Sequence, residues 1–228
     1  MRYVIAGKHE WNYKDFREQL KAPENEWGYV RTSAELEQIL SEPENTIEYI
    51  FFLHWSEIVP TYILQATNCV CFHMTDVPYG RGGSPLQNLI ARGHRSTKIT
   101  ALRMTSELDA GPVYLKKELS LEGSTAEEIY QRASKLSCEM ALQIAQQNLS
   151  PKEQTGTAIK FKRRTPEQSQ IEGNLTLLQV FDQIRMLDAE GYPKAFIEIE
   201  GLRLEFSRAS LYSDHVKTDV TITQIHRD

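Results

Sequence analysis

Among the residues able to do chemistry, His73 has the most informative surroundings: Cys71-Phe72-His73-Met74-Thr75-Asp76-Val77-Pro78-Tyr79-Gly80-Arg81-Gly82-Gly83-Ser84-Pro85-Leu86-Gln87. The run reads as a buried strand that delivers one imidazole at its C-terminal edge, then a turn rich in glycine and proline, then a helix start. In open α/β sheets that edge is where ligands bind. Glycines let backbone approach a ligand closely, and the first amides of a helix can hold an anion. A lone histidine at a strand end is more often structural than catalytic, so the constellation suggests a site without naming its reaction.

Cys69-x-Cys71-x-His73 alternates along the same strand, which puts three metal-ligating side chains on one face. Zinc needs further ligands, no second pair lies nearby, and Cys138 stands alone in a later helix. No metal is expected. Cys71 as a nucleophile with His73 as base is also set aside, because a thiolate so close on one strand lacks a route to a substrate carbonyl. Arg81, Arg163 and Arg164 offer forked guanidinium groups suited to a pyrophosphate. A solvated basic turn explains Arg163 and Arg164 equally well.

Such groups need a sheet to position them. Short apolar runs at 3–6, 28–31, 49–54, 69–72, 99–104 and 113–118 alternate with helical patterns. That order predicts an α/β fold, a Rossmann-like, mostly parallel sheet with flanking helices. Thr32 with Glu35 reads as a capping box, and Ser84-Pro85 as a cap with a first-turn proline before a helix that ends at Gly93. A long amphipathic helix follows, capped by Ser124 and Glu127, with Ile129, Ala133, Leu136, Met140 and Ile144 at helical spacing. Residues 148–173 lack periodicity and read as a connector. Beyond it come an amphipathic helix at 177–187, two strands flanking Glu200-Gly201, and a further strand at 216–225. The expected organisation is a catalytic domain over 1–170 and a small C-terminal helix and β-hairpin module over 171–228.

The 228 residues, 40% hydrophobic and 25% charged, suffice for one sizeable domain plus an appendage. No stretch approaches the roughly 18 apolar residues of a membrane span. The apolar run after Met1 is too short for an export signal, and three cysteines cannot make a disulfide framework. A cytoplasmic protein is expected. A net charge of −5 and a single short basic cluster, Lys160-Phe161-Lys162-Arg163-Arg164, give no expectation of a nucleic-acid partner.

Position by position, the segment around His73 resembles the signature of the 10-formyltetrahydrofolate-dependent formyltransferases. That family reads Asn-x-His, a stretch ending in Pro, Arg-Gly, then Pro-Ile/Leu-Gln; His73, Pro78, Arg81-Gly82 and Pro85-Leu86-Gln87 fall in register. The family's downstream Asp-x-Gly is matched by Asp109-Ala110-Gly111, and Trp55-Ser56-Glu57-Ile58-Val59-Pro60 is similar to a loop whose backbone grips the pterin. The resemblance implies transfer of a formyl group from 10-formyltetrahydrofolate to an amine. His73 would donate to the oxyanion, and Asp109 would orient the imidazole and relay the amine's proton. Ser56, Glu57, Ile58 and Val59, with Met104, Thr105, Ser106 and Leu108, would hold the folate. One position departs from the pattern: the asparagine two residues before the histidine is Cys71, and a thiol is a weak donor.

The resemblance also bears on which amine is formylated. Tyr79, Arg81 and Gly82 in the glycine-rich loop, and Arg163-Arg164-Thr165-Pro166-Glu167, are similar to the sugar N-formyltransferases. They imply a nucleotide-linked amino sugar as substrate, in the specific expectation a pseudaminic acid precursor. A methionyl-tRNA formyltransferase ranks second, since such enzymes carry a fuller C-terminal barrel and a more basic surface. A formyltetrahydrofolate hydrolase and a folate-binding pseudoenzyme, the latter motivated by Cys71, remain as alternatives. The apolar hairpin of the short tail suggests a homodimer surface.

Overall fold

In the computed structural model, which describes residues 2–20 and 26–225, β1 (Tyr3–Gly7) is followed by α1 (Glu10–Gln19), β2 (Trp27–Val30), α2 (Ser33–Ser41), β3 (Tyr49–Leu53) and α3 (Thr61–Ala66). Next come β4 (Asn68–His73), β5 (Tyr79–Gly82), α4 (Pro85–Ala91), β6 (Ser96–Arg103), β7 (Val113–Ser120) and α5 (Ala126–Gln147). The chain closes with β8 (Ile159–Phe161), a 3-10 turn at Pro166–Ser169, α6 (Leu177–Arg185), β9 (Ala195–Ile199), β10 (Leu202–Leu211) and β11 (Val216–Gln224).

The main sheet runs β2-β1-β3-β4-β6-β7. β1 lies parallel to β2 and β3, and β3 parallel to β4, while β6 is antiparallel to β4. Every residue of β1 and β3 is buried, which is why both read as unbroken apolar runs rather than alternating ones. The α/β expectation is met. Contacts divide the chain into two compact units, residues 1–82, 98–119 and 131–160 in one, and 83–97, 120–130 and 161–228 in the other.

The expected helix starts are met in part. Thr32 caps α2 by accepting the Glu35 amide, but the Glu35 carboxylate takes the Arg31 N–H. Ser84 stands at the N-cap of α4 with Pro85 in the first turn, but its side chain makes no cap: its backbone is left-handed at φ 49°, and its hydroxyl accepts the Arg164 N–H. The cap of α5 is Thr125, not Ser124; its Oγ1 accepts the Glu128 amide at 3.2 Å, and Glu128 reaches back to the Ser124 N–H. Thr125→Ala is therefore expected to lower stability by about 1 kcal/mol, read as a shifted urea midpoint with an unchanged slope.

α1 lacks an apolar face because one of its two buried positions is Asn12, whose amide donates to Ser134 Oγ at 2.9 Å. In the second unit, Leu202 pairs with Ile199 around Glu200-Gly201, with φ 47° and 85°, a type I′ hairpin turn as expected. The guanidinium of Arg185 is almost wholly buried, donating to Asp182 Oδ1 and the Leu121 carbonyl at 2.7 Å each. Among the described residues, no helix is long and apolar enough to cross a membrane.

Candidate active site

β4 enters the site with Cys71 opposite Leu102 and His73 opposite Thr100 on β6. Two buried threonines fix the turn that follows. Thr100 Oγ1 donates to the Thr75 carbonyl at 2.7 Å, and Thr75 Oγ1 donates to the Gly80 carbonyl at 3.2 Å. Between them Asp76 pairs with Lys98 and Lys116, and Lys116 also donates to the Val77 carbonyl. Partial burial raises the Asp76 pKa, but the two lysines outweigh it and hold the carboxyl below its ordinary value.

This turn brings β5 alongside His73. The imidazole Nε2 lies 2.8 Å from the Gly80 carbonyl oxygen. A carbonyl only accepts, so Nε2 carries the hydrogen. The other nitrogen, Nδ1, faces Asp109 Oδ1 at 3.5 Å, with the two side chains only 10% and 8% exposed. Asp109 Oδ2 accepts the Gly82 N–H at 2.9 Å. One short strand thus supplies a carbonyl to the imidazole and an amide to the carboxylate. Asp109 itself is left-handed at φ 55°, a conformation that aspartate and asparagine reach more readily than other non-glycine residues because their short side chains hydrogen-bond locally. Its neighbour Gly111 has no alternative, since a Cβ there would sit 1.8 Å from the Arg103 carbonyl oxygen.

The half-buried Cys71 thiol is pushed up by desolvation first and by the Asp109 charge second, so it stays protonated near neutrality. Burial pushes the Cys69 thiol up to about 12. Neither sulfur is a ready nucleophile. Among the described residues, no group of three or more His, Cys, Asp or Glu side chains could hold a metal.

The two loops read as folate-binding differ in what they expose. Ser56, Glu57 and Ile58 face solvent, Ile58 at 94% exposure, whereas Val59 is buried with Val4, Ile50, Phe52 and Ile63. Met104 packs against the same cluster, as does Cys71, and Thr105, Ser106 and Leu108 are exposed. Val59 and Met104 therefore anchor the loops, and their neighbours are left to present backbone and side chains. The Glu57 carboxylate is occupied by Lys8 and the Ser33 hydroxyl, which hold it below its ordinary pKa.

Arg81 and Gly82 join His73 and Asp109, with half-buried Tyr79 on the same strand. Arg81 is not a free anion receptor: Nε and Nη2 both donate to Gln154 Oε1 at 3.1 and 2.8 Å, and Nη1 lies 4.0 Å from Glu107. Arg163 and Arg164 belong to the second unit. Arg163 is exposed, with its backbone so close to Gly83 that a Cβ on Gly83 would meet the Arg163 Cα at 2.6 Å. Half-buried Arg164 donates to the Gln168 carbonyl, and burial lowers its pKa from the ordinary value. Gln87 is a packing residue, donating to Tyr130 OH at 2.8 Å and to the Met186 carbonyl at 3.0 Å. Gln154, in the segment read as a connector, was missed; no periodicity or composition marks it.

Residues 20–144 match the family model described as Formyl transferase, and residues 166–223 match that of the Methionyl-tRNA formyltransferase C-terminal domain. The chain belongs to the formyl transferase family. A solved methionyl-tRNA formyltransferase from Clostridium thermocellum is 42% identical and superposes with a TM-score of 0.91, covering 98% of this chain and 99% of that one. A curated methionyl-tRNA formyltransferase of Rickettsia massiliae is 27% identical over 182 residues, 77% of this chain. The chain spans 59–60% of the length of that relative and three further Rickettsia ones.

A sugar N-formyltransferase from a Shewanella species shares the fold, with a TM-score of 0.69 at 15% identity over 93% of this chain and 99% of that one. The expectation of a nucleotide-linked amino sugar is thereby overturned, and the pseudaminic acid precursor with it. The full-length likeness at high identity is to a methionyl-tRNA formyltransferase, and the sugar enzymes share architecture alone. The exclusion of a nucleic-acid partner falls too. It leaned on a net charge of −5, and a whole-chain sum does not report the charge of any one face.

Proposed function

We propose that this protein transfers a formyl group from 10-formyltetrahydrofolate to the amine of methionyl-tRNA. The observation that carries the choice of acceptor is the match along nearly the whole chain to the Clostridium thermocellum protein, in which the short C-terminal part is included. On this reading residues 1–170 form the catalytic portion and 171–228 the C-terminal module, in keeping with the family-model match over 166–223.

The folate donor supplies an activated formyl carbon. The loops at 56–59 and 104–108 fit such a donor, because each presents an outward apolar side chain, Ile58 or Leu108, above an anchor in the shared core cluster. His73 stands between a carboxylate and a carbonyl, so its orientation is set before substrate arrives. Its Nε2–H, which meets the Gly80 carbonyl in this structure, is the donor it would share with the formyl oxygen as that oxygen gains negative charge. The Gly80 carbonyl keeps the hydrogen on Nε2, and the Asp109 carboxylate, on the Nδ1 side of the ring, accepts the proton that the amine loses, directly or by way of Nδ1. The 3.5 Å between Nδ1 and Oδ1 is longer than a good hydrogen bond, as expected before substrate closes the site.

The test supplies the purified protein with 10-formyltetrahydrofolate and charged methionyl-tRNA, then looks by mass for formylmethionine after deacylation. Formylmethionine is the expected product, with free methionine left unreacted. Formate release without a formylated aminoacyl-tRNA would overturn the reading in favour of a hydrolase.

A further inference from the structure

Gln154 makes four hydrogen bonds with its side-chain amide. Oε1 accepts from Arg81 Nε and Nη2, and Nε2 donates to the Asp109 and Gly111 carbonyls at 2.8 Å each. This orientation has no competitor. A flipped amide would set NH2 against a guanidinium and an oxygen against two carbonyls. The segment carrying it is fixed nearby: Lys152 and Val113 exchange both backbone hydrogen bonds, at 2.7 and 2.8 Å, two residues from Gln154 and from Gly111. The contacts of Gln154 fall on the backbone of the two motif residues that bracket the Asp109 turn.

We infer that Gln154 is a positioning residue for the transfer reaction, holding the left-handed Asp109 turn so that its carboxylate meets both the Gly82 amide and His73. The inference rests on the assignment of Asp109 to the reaction. Arg81 takes part through Gln154: its guanidinium fixes which face of the amide donates, and Gly82, the next residue, supplies the N–H that Asp109 accepts. Without the amide, the Asp109 carbonyl loses this donor, and the left-handed φ of 55° has one restraint fewer against relaxing.

Gln154→Glu separates this role from that of a simple anchor. A glutamate would keep or strengthen the pairing with Arg81, but would turn acceptor oxygens toward two carbonyls. Gln154→Ala removes both sets of bonds without adding charge, and the position is half-buried, so both variants should fold, as thermal unfolding would check. One readout needs no substrate: hydrogen exchange at the Gly82 amide, whose proton sits on Asp109 Oδ2. It is expected to accelerate at least about tenfold in both variants while core amides of β1 and β3 are unchanged. The second is kcat, expected to fall by about ten- to a hundredfold with KM for both substrates within about twofold, as for a small misplacement of a catalytic group. Wild-type exchange at Gly82 or wild-type kcat in Gln154→Glu would overturn the assignment. Should the protein fail to formylate methionyl-tRNA at all, the Gly82 amide still decides whether Gln154 holds Asp109.

Discussion

His73→Ala and Asp109→Asn are each expected to lower kcat for formyl transfer by about a hundred- to ten-thousandfold, the usual contribution of a positioned acid–base group. The asparagine variant is the sharper one. It keeps an oxygen for the Gly82 amide, which Oδ2 accepts at 2.9 Å, whereas alanine would strand that donor and confound loss of chemistry with loss of local structure. Asparagine also tolerates the left-handed backbone that Asp109 adopts. Because His73 and Asp109 face one another at 3.5 Å and act as a unit, their effects should not multiply. The double variant is expected to be no slower than the worse single one. Single-turnover rates with saturating 10-formyltetrahydrofolate measure this. Retention of more than about a tenth of the wild-type rate in either single variant would remove that residue from the reaction.

Much of the architecture was legible because the responsible residues are governed by local rules. β1 and β3 are covered on both faces and carry no polar position, so their identity survives without any structure. Glu200-Gly201 supplies the two positive φ values of a type I′ turn, and the hairpin follows. Where recognition failed, a distant partner was responsible. α1 hides an asparagine where a periodicity search expects an aliphatic, and its buried partner Ser134 lies on a helix 122 residues away. Ser84 looks like a cap, yet its hydroxyl is drawn off by the Arg164 amide.

The candidate site divides in the same way. His73 and Asp109 stood out by residue type and register, and Gly111 is dictated by a backbone clash that glycine alone avoids. The Gly80 carbonyl and the Gly82 amide are backbone groups, so no side-chain pattern announces them, and Gln154 reaches the site across 45 residues to the Asp109 carbonyl. Arg81 was read as an anion receptor because a guanidinium in a glycine-rich loop often is one. Its donors are instead directed at Gln154. The acceptor amine was misjudged for a different reason. The loop features read as sugar-specific occur on a fold that the tRNA and sugar enzymes share, so they could not discriminate between them.

Cys71 stands where the signature that the sequence resembles has an asparagine, and Cys71→Asn is the replacement expected to raise the rate rather than lower it. The thiol is kept protonated by desolvation and by the Asp109 carboxylate, so it contributes neither a nucleophile nor a strong donor. Cys71→Ala is therefore expected to retain kcat within about twofold, and thiol alkylation to act only through bulk. Cys71→Asn restores an amide two residues before His73, on the same face of β4. Removal of one preorganised oxyanion donor lowers kcat by about a hundred- to a thousandfold in a well-studied protease. Addition of one to a site that already holds His73 in place is expected to raise kcat by about tenfold or more. The gain should fall short of that limit, because the amide enters a pocket shaped around sulfur and packed against the Val59 and Met104 cluster. It should appear in kcat rather than KM, since the donor meets charge that develops only in the transition state. A Cys71→Ala variant without activity, its Gly82 and His73 signals unchanged by NMR, would show that the thiol itself takes part. A Cys71→Asn variant no faster than wild type would show that the oxyanion is already fully held by His73 and backbone.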